Sequence, residues 1–337
     1  MKKSKMLALT ALFLVLPASL GLFAQKKPER PKVHADFYFG SDPLSRDAAE
    51  LMTKENVRLL LVGFHVGWDV DKIAKELKLA ADDLNKRYDE LEEQKLAGMR
   101  SNDDVEVRPF LPIIRERDSD RLKDSLARHT EEFSKVLDAN WSGIEATASS
   151  LSGGIGVPKD QLMYQVVVSA ILLGGMEDAF YEDKTLMSPP PRRAKGQRFY
   201  AWLVEGDPAL AGILKRETRE SDGYSIVSIG TTAPQARVSL DQIRTAHGLL
   251  LEQQEARRFR SFIAILCRDK LLPFFKKNRA DFLKIAGQVE SSRYVAFEEF
   301  FAWYYNRMAN TIAAQLAAAR RIAPPADQYT YAIKLQQ

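Results

Sequence analysis

Apolar residues near the start of the chain recur at helical spacing and predict three short helices in succession. The first helix is predicted to end near Phe64, and Gly67 behind it can adopt the left-handed conformation that closes a helix. Asp69 is a favourable N-cap for the second helix, in which Ile73 and Leu77 lie one turn apart. The pattern therefore predicts a short second helix set between two turns.

The third helix and the residues after it complete this pattern. Leu84, Tyr88 and Leu91 are spaced i, i+4, i+7, which places them on one buried face of a helix. Behind that helix, residues 101–104 are predicted to form a turn between two short strands. Residues 45–116 thus contain a lead helix, a short helix, a longer helix and a hairpin.

This order of elements resembles the winged helix-turn-helix domain of MarR-like and ArsR-like bacterial regulators. The matching features are the apolar spacing, the short second helix, the DELEEQKLAG run that precedes the hairpin, and the hairpin itself. In that family the third helix enters the major groove of DNA and the hairpin touches phosphate. The resemblance implies that the third helix would present Asp82 and Asp83 to the groove. It also implies nucleic-acid contacts from Asn85, Lys86, Arg87 and Arg100.

The charge on the third helix opposes that implied function. Residues 82–95 carry six acidic side chains against three basic ones, which gives a net charge of −3. Tight DNA binding depends on Lys and Arg side chains that release counterions from phosphate, so this helix is poorly suited to it. We therefore expect the winged-helix segment to contact another protein, and nucleic acid is disfavoured as a partner.

A helical segment is predicted for residues 117–187. Helices are expected at about 121–137 and 141–151, and an SGGIG turn at 152–156 separates them from an apolar helix at 159–183. The apolar centre of this last helix is only about ten residues long, which is too short to cross a bilayer. We therefore expect it to be a buried helix of the core.

The SPPPRRAKGQ run at 188–197 is predicted to be a solvated basic linker, because consecutive prolines favour an extended conformation. Residues 198–337 are predicted to form an α+β domain. Its strands at 198–206 and 223–232 flank a helix that Asp207 would cap and that would end near residue 220. This strand-helix-strand order suggests that the two strands pair in parallel.

The rest of this domain is predicted to be helical except at its end. A capping box at 239–242 opens a long helix that ends near Pro273. Helices follow at about 274–289 and 295–322, and residues 329–335 alternate like an edge strand. The whole pattern predicts a mainly α protein with small β content, of the α+β class. Its parts are an N-terminal winged helix-turn-helix, a helical connector, and a small C-terminal sheet packed with long helices.

Residues 1–24 have the layout of a secretory signal peptide. A basic start precedes an apolar run from Met6 to Phe23, and Ala24 is a suitable small residue before a cleavage point. We expect cleavage after Ala24, a linker over residues 25–44, and a periplasmic or secreted protein. The alternative is an uncleaved inner-membrane anchor, since an apolar run of this length nearly suffices to span a bilayer. This segment is the only predicted contact with a membrane.

Without residues 1–24 the chain holds 46 basic and 45 acidic side chains. A near-neutral exported protein has no electrostatic reason to seek nucleic acid. Its 45% content of hydrophobic residues is typical of a globular protein.

Few residues suggest chemistry. No zinc-protease, paired-cysteine or P-loop motif occurs, so neither a metal nor a cofactor is expected. Cys267 lies in an apolar helical run and is expected to be buried. If the two predicted strands are parallel, Glu205 and Asp207 stand where such sheets bind ligands, and they are the only catalytic candidates. Asp207 also serves as the predicted N-cap, which favours a structural role for it.

Three functions compete on this evidence. The first is an exported, non-catalytic binding protein that uses its winged-helix module for protein contact. The second is a membrane-tethered winged-helix transcription regulator that binds DNA. The third is an exported hydrolase that uses the carboxylates at the strand end. The leader, the near-neutral charge and the acidic third helix favour the first.

Overall fold

A fully buried strand from the middle of the chain is the centre of the first sheet. In the computed structural model, β5 (Tyr200–Glu205) lies between β1 (Val33–Tyr38), which is antiparallel to it, and β4 (Ile113–Ile114), which is parallel. All six residues of β5 are buried. The structure describes residues 32–38, 46–99, 106–206, 214–221, 223–230, 241, 243, 248–324 and 329–334.

This sheet corrects two predictions. Part of the linker expected over residues 25–44 is a strand, because Phe37 of β1 packs edge-on against Phe199 with their ring centroids 5.8 Å apart. The predicted parallel partner of β5 is also wrong, since the strand at 224–230 belongs to another sheet and the short β4 takes that place. β1 and β4 precede residues 188–197 and β5 follows them, so one sheet joins residues from both sides of that segment.

The helices expected for the winged-helix segment are present. They are α1 (Arg46–Thr53), α2 (Glu55–His65), α3 (Val70–Leu77) and α4 (Ala81–Glu93), followed by the hairpin strands β2 (Ala97–Gly98) and β3 (Arg108–Pro109). The carboxylate of Asp69 caps α3 by accepting the Lys72 N–H at 2.7 Å, and Gly67 has φ of 71°, both as predicted. The predicted lead helix is divided at Lys54. The predicted turn at 101–104 lies outside the described residues.

The middle of the chain is helical. It contains α5 (Glu116–Ala139), α6 (Trp141–Ser149), a 3₁₀ turn (Ser152–Gly154), α7 (Lys159–Tyr164), a first π-helical segment (Gln165–Gly175) and α8 (Met176–Asp183). The last three are continuous, and every residue of the π-helical segment is buried. Among the described residues, Lys159–Asp183 is the one helix that is long and apolar enough to span a membrane. Of its most apolar stretch, 94% is buried inside the protein. The predicted buried core helix is therefore confirmed.

A second sheet has the strand order β6-β7-β9-β8. Its strands are β6 (Lys215–Ser221), β7 (Tyr224–Gly230), β8 (Leu249–Leu251) and β9 (Tyr329–Lys334). The strand predicted at 223–232 is confirmed as β7. Three other predictions are wrong. β6 occupies residues where a helix was expected, β8 interrupts the long helix expected between residue 239 and Pro273, and β9 is an inner strand because β7 and β8 pair with its two sides.

The remaining helices pack around aromatic rings. They are α9 (Gln253–Leu266), a second π-helical segment (Cys267–Leu271), α10 (Leu272–Lys277), α11 (Arg279–Ala286) and α12 (Phe297–Ala318). Phe275, Phe301 and Tyr305 are buried in this core. Cys267 is buried, as predicted, and burial raises the pKa of its thiol. The protein is thus mainly α with small β content, of the α+β class.

The proline-rich segment at 188–197 is only partly the solvated loop that its composition predicts. Arg192 is exposed, but Arg193 is 4% exposed. The Arg193 guanidinium donates to Glu299 Oε2 at 2.7 Å and to the Lys95 carbonyl at 2.9 Å. The side chain therefore joins α12 to the turn behind α4, and the prediction of a wholly solvated basic linker is wrong at this residue.

Candidate functional site

The residues that the winged-helix resemblance assigns to nucleic acid do not form a basic surface in the described part of the chain. Asn85 and Lys86 are exposed on α4. Arg87 is half-buried and donates to both carboxylate oxygens of Glu90, at 2.7 and 3.0 Å. Arg100 lies outside the described residues. Lys86 is thus the one cation of α4 that makes no ion pair among the described residues.

Carboxylates dominate the surface around this helix. The exposed acidic residues of α4 are Asp82, Asp83, Asp89, Glu92 and Glu93. A hollow of about 270 Å³, the α1–α4 groove, is lined by Asp47, Glu50, Leu51, Lys54, Glu90, Glu93 and Gln94. Four acidic side chains and one basic side chain line it, and even with Glu90 paired to Arg87 the acidic side chains outnumber the basic ones. The groove therefore has a negative potential that favours cationic partners.

The parallel strands β4 and β5 end side by side and bring Arg115 to Glu205. Arg115 Nε donates to Glu205 Oε2 at 2.6 Å, and the Glu205 side chain is 3% exposed. Gly206 follows with φ of 87°, a conformation that glycine adopts without strain, and its N–H donates to the Lys32 carbonyl at 2.9 Å. Glu205 ends β5 beside the parallel strand β4, and not beside the strand at 224–230 that the sequence pattern predicted as its neighbour. Asp207 lies outside the described residues.

A buried histidine extends this group of charges. His65 Nδ1 hydrogen-bonds to the Tyr294 hydroxyl, and His65 Nε2 lies 3.5 Å from Glu290 Oε2. Glu290 also accepts a hydrogen bond from Arg117. Burial lowers the pKa of His65 to about 4, and Arg115 and Arg117 add to this effect, while Glu290 opposes it. His65 is therefore neutral at neutral pH and ties the end of α2 to the segment at 290–294.

The geometry of this cluster favours a structural role. Arg115 is paired with Glu205, and Arg117 with Glu290. Asp118 is buried, its Oδ2 accepts the Arg115 N–H at 3.1 Å, and burial raises the pKa of its carboxyl. Structural ion-pair networks perturb pKa values without catalysis. The carboxylate of Glu205 is already held by a guanidinium, so we expect it to fix the strand end rather than to act on a substrate.

The sequence pattern indicated only part of this cluster. The highly charged run at 115–120 predicts a solvent-facing segment, and this prediction is wrong at two residues, because Arg115 is half-buried and Asp118 is buried. One local signal for this cluster was present in the sequence. Arg115 directly follows the apolar pair of β4 and precedes a helix with acidic residues in its first turn. Tyr294 and Glu290 lie more than two hundred residues from His65 in the chain, and no local pattern connects them.

Acidification is expected to weaken the fold through His65. The unfolded chain binds a proton at this residue near its usual pKa of 6.5, whereas the folded protein does so only near 4. Between these values the unfolded state holds more protons, so the free energy of unfolding falls as the pH falls, by up to about 3 kcal/mol. Urea denaturation at several pH values measures this loss. The H65Q variant cannot take up this proton, so its free energy of unfolding should fall less on acidification than that of the wild type. An equal fall in both proteins would exclude His65 as the cause.

No family model, curated protein or solved structure matches this chain. Within the described ranges, no group of three His, Cys, Asp or Glu side chains is placed to hold a metal ion. The winged-helix resemblance therefore rests on the order of α2, α3, α4 and the hairpin, and the function must be argued from surface chemistry.

Proposed function

We propose that this protein is an exported, non-catalytic binding protein whose winged-helix-like segment contacts a basic protein partner. The observation that carries the proposal is the acidic surface formed by the outer side of α4 and the α1–α4 groove. A surface of one sign steers a partner of the opposite sign and excludes partners of the same sign. DNA carries the same sign as this surface, so the proposal favours protein over nucleic acid.

The two cations of α4 support this choice. A DNA-reading helix needs Lys and Arg side chains that are free to meet phosphate. Arg87 is engaged by Glu90 within the same helix, and Lys86 shares this helix with five exposed carboxylates. A phosphate backbone that approached this face would be repelled by the carboxylates before it met either cation.

The exported location is supported by the leader, which lies outside the described residues. If the exported protein begins at Gln25, the membrane-tethered regulator is excluded, because the anchor has been removed. A mature chain that retains residues 1–24 would instead support the tethered alternative.

Binding of a decalysine peptide tests the acidic surface directly. The wild-type protein is expected to bind it with an affinity that decreases with salt. E50Q/E93Q removes two exposed charges from the α1–α4 groove. If each exposed pair contributes on the order of 0.5 kcal/mol, the affinity should fall about fivefold. Titrations followed by fluorescence anisotropy measure both constants.

D120N/D124N is the matched control, because it removes two exposed charges from α5 and neither residue lines the groove. It should keep most of the wild-type affinity. Equal weakening in both double variants would mean that only the overall charge matters, and the proposed surface would then be wrong.

A further inference from the structure

A cleft of about 700 Å³ opens between the first π-helical segment, α8, α9 and the strands β6 and β7. Sites for small molecules usually measure about 300–1,000 Å³, so this volume suits a compact ligand. Its apolar lining includes Val227, Phe259 and Ile263, all of which are buried. The cleft lies apart from the α1–α4 groove and shares no lining residue with it.

Two adjacent glycines give the cleft its wall. A Cβ atom on Gly174 would lie 3.3 Å from Arg216 Nε, and a Cβ on Gly175 would lie 2.4 Å from Ile263 Cγ2 and 2.7 Å from Cys267 Sγ. Because a Cβ at position 175 would clash with both side chains, only glycine there allows α9 and the second π-helical segment to lie this close to the first π-helical segment. π-Helical segments are rare in proteins, and those that do occur are often found at functional sites.

Side chains of both charges line this cleft, and one of them, Arg268, is paired with Asp269. Asp178 and Glu182 lie one turn apart on α8, and Arg260 projects from α9. None of these three side chains makes an ion pair within 4.0 Å among the described residues. Burial raises the pKa of Asp178, whereas the positive charges of Arg216 and Arg260 lower it. A ligand that enters the cleft meets both signs and an apolar wall.

We propose that this cleft binds a small zwitterion with an apolar body, which is the chemistry of an apolar amino acid or of a short apolar peptide. The ligand carboxylate faces Arg260, and its ammonium faces Asp178 and Glu182. Its apolar body packs on Phe259 and Ile263. Charge-assisted hydrogen bonds of this kind are stronger than neutral ones, so both ends of the ligand contribute to selection. The proposal is independent of the acidic surface of α4.

Calorimetric titration with L-leucine, with the dipeptide Leu-Leu and with N-acetyl-leucine amide tests this site in the full chain. At least one of the two zwitterions should bind at a single saturable site, and which one binds best distinguishes a free amino acid from a peptide. The uncharged N-acetyl-leucine amide should bind at least about tenfold more weakly, because it lacks both charge-assisted hydrogen bonds.

R260Q and D178N should each weaken the zwitterion about tenfold, because each removes one charged partner. R258Q is the matched control, since Arg258 is an exposed arginine of the same helix that does not line the cleft. It should bind like the wild type. Thermal unfolding of each variant verifies that the fold is kept. The proposal is overturned if neither zwitterion binds, or if R260Q and R258Q bind equally well.

Discussion

Replacing Arg193 with methionine (R193M) is expected to lower the free energy of unfolding by about 3–5 kcal/mol. The Arg193 guanidinium is 4% exposed and donates to Glu299 Oε2 at 2.7 Å and to the Lys95 carbonyl at 2.9 Å. Methionine retains much of the side-chain volume but leaves the carboxylate of Glu299, which is 14% exposed, without this cation. Removing one member of a largely buried ion pair costs more than the pair itself contributes to stability.

R192M is the control, since Arg192 is the exposed neighbour in the same segment. Its free energy of unfolding should stay within about 0.5 kcal/mol of the wild type. Denaturation in guanidinium chloride gives both values from the midpoint and slope. If R193M is as stable as R192M, the ion pair does not anchor this segment.

Truncation of Phe275 to alanine is expected to cost about 3–5 kcal/mol of stability. Its ring is fully buried, with centroid distances of 4.6 Å to Phe133, 5.1 Å to Phe180 and 5.5 Å to Tyr305. Alanine would leave a cavity at the centre of this group, and the rigid rings around it can fill that space only in part. F275L leaves a smaller cavity and should cost less.

Leu283 provides the control for this truncation, because it is an apolar residue of α11 that is 38% exposed. Thermal and chemical denaturation of L283A should show a loss much smaller than that of F275A. Similar losses in the two variants would indicate that the aromatic group is not the tightly packed core described above.

Local patterns predicted several of the helices because the evidence for a helix is short in range. The Asp69 cap, the left-handed Gly67 and the buried helix at 159–183 all depend on residues within one or two turns of each other. The sheets depend on pairing between distant residues. β1 and β4 meet β5 across gaps of up to about half of the chain, and no local spacing encodes that contact.

The candidate sites were less predictable for the same reason. The position of Glu205 at a strand end followed from the apolar run before it, but its partner Arg115 directly follows a strand of only two residues. His65 and Tyr294 are joined only by the fold. The cleft beside Gly174 depends on a π-helical conformation, and an apolar run does not distinguish it from an ordinary α-helix.

The acidic character of the α4 surface was predictable from its composition. The excess of acidic residues is visible in the sequence, and the exposure of Asp82 and Asp83 follows from the buried stripe of Leu84 and Leu91. The pairing of Arg87 with Glu90 depends on side-chain geometry that the pattern does not contain.

Binding to a short fluorescent DNA duplex tests the central claim, that the winged-helix-like segment contacts protein and not nucleic acid. Anisotropy titrations at a physiological ionic strength of about 0.15 M should give no saturable binding. The K86Q/R87Q variant should be indistinguishable from the wild type. The claim is contradicted if the wild type binds the duplex with an affinity that falls steeply with salt and K86Q/R87Q loses that binding.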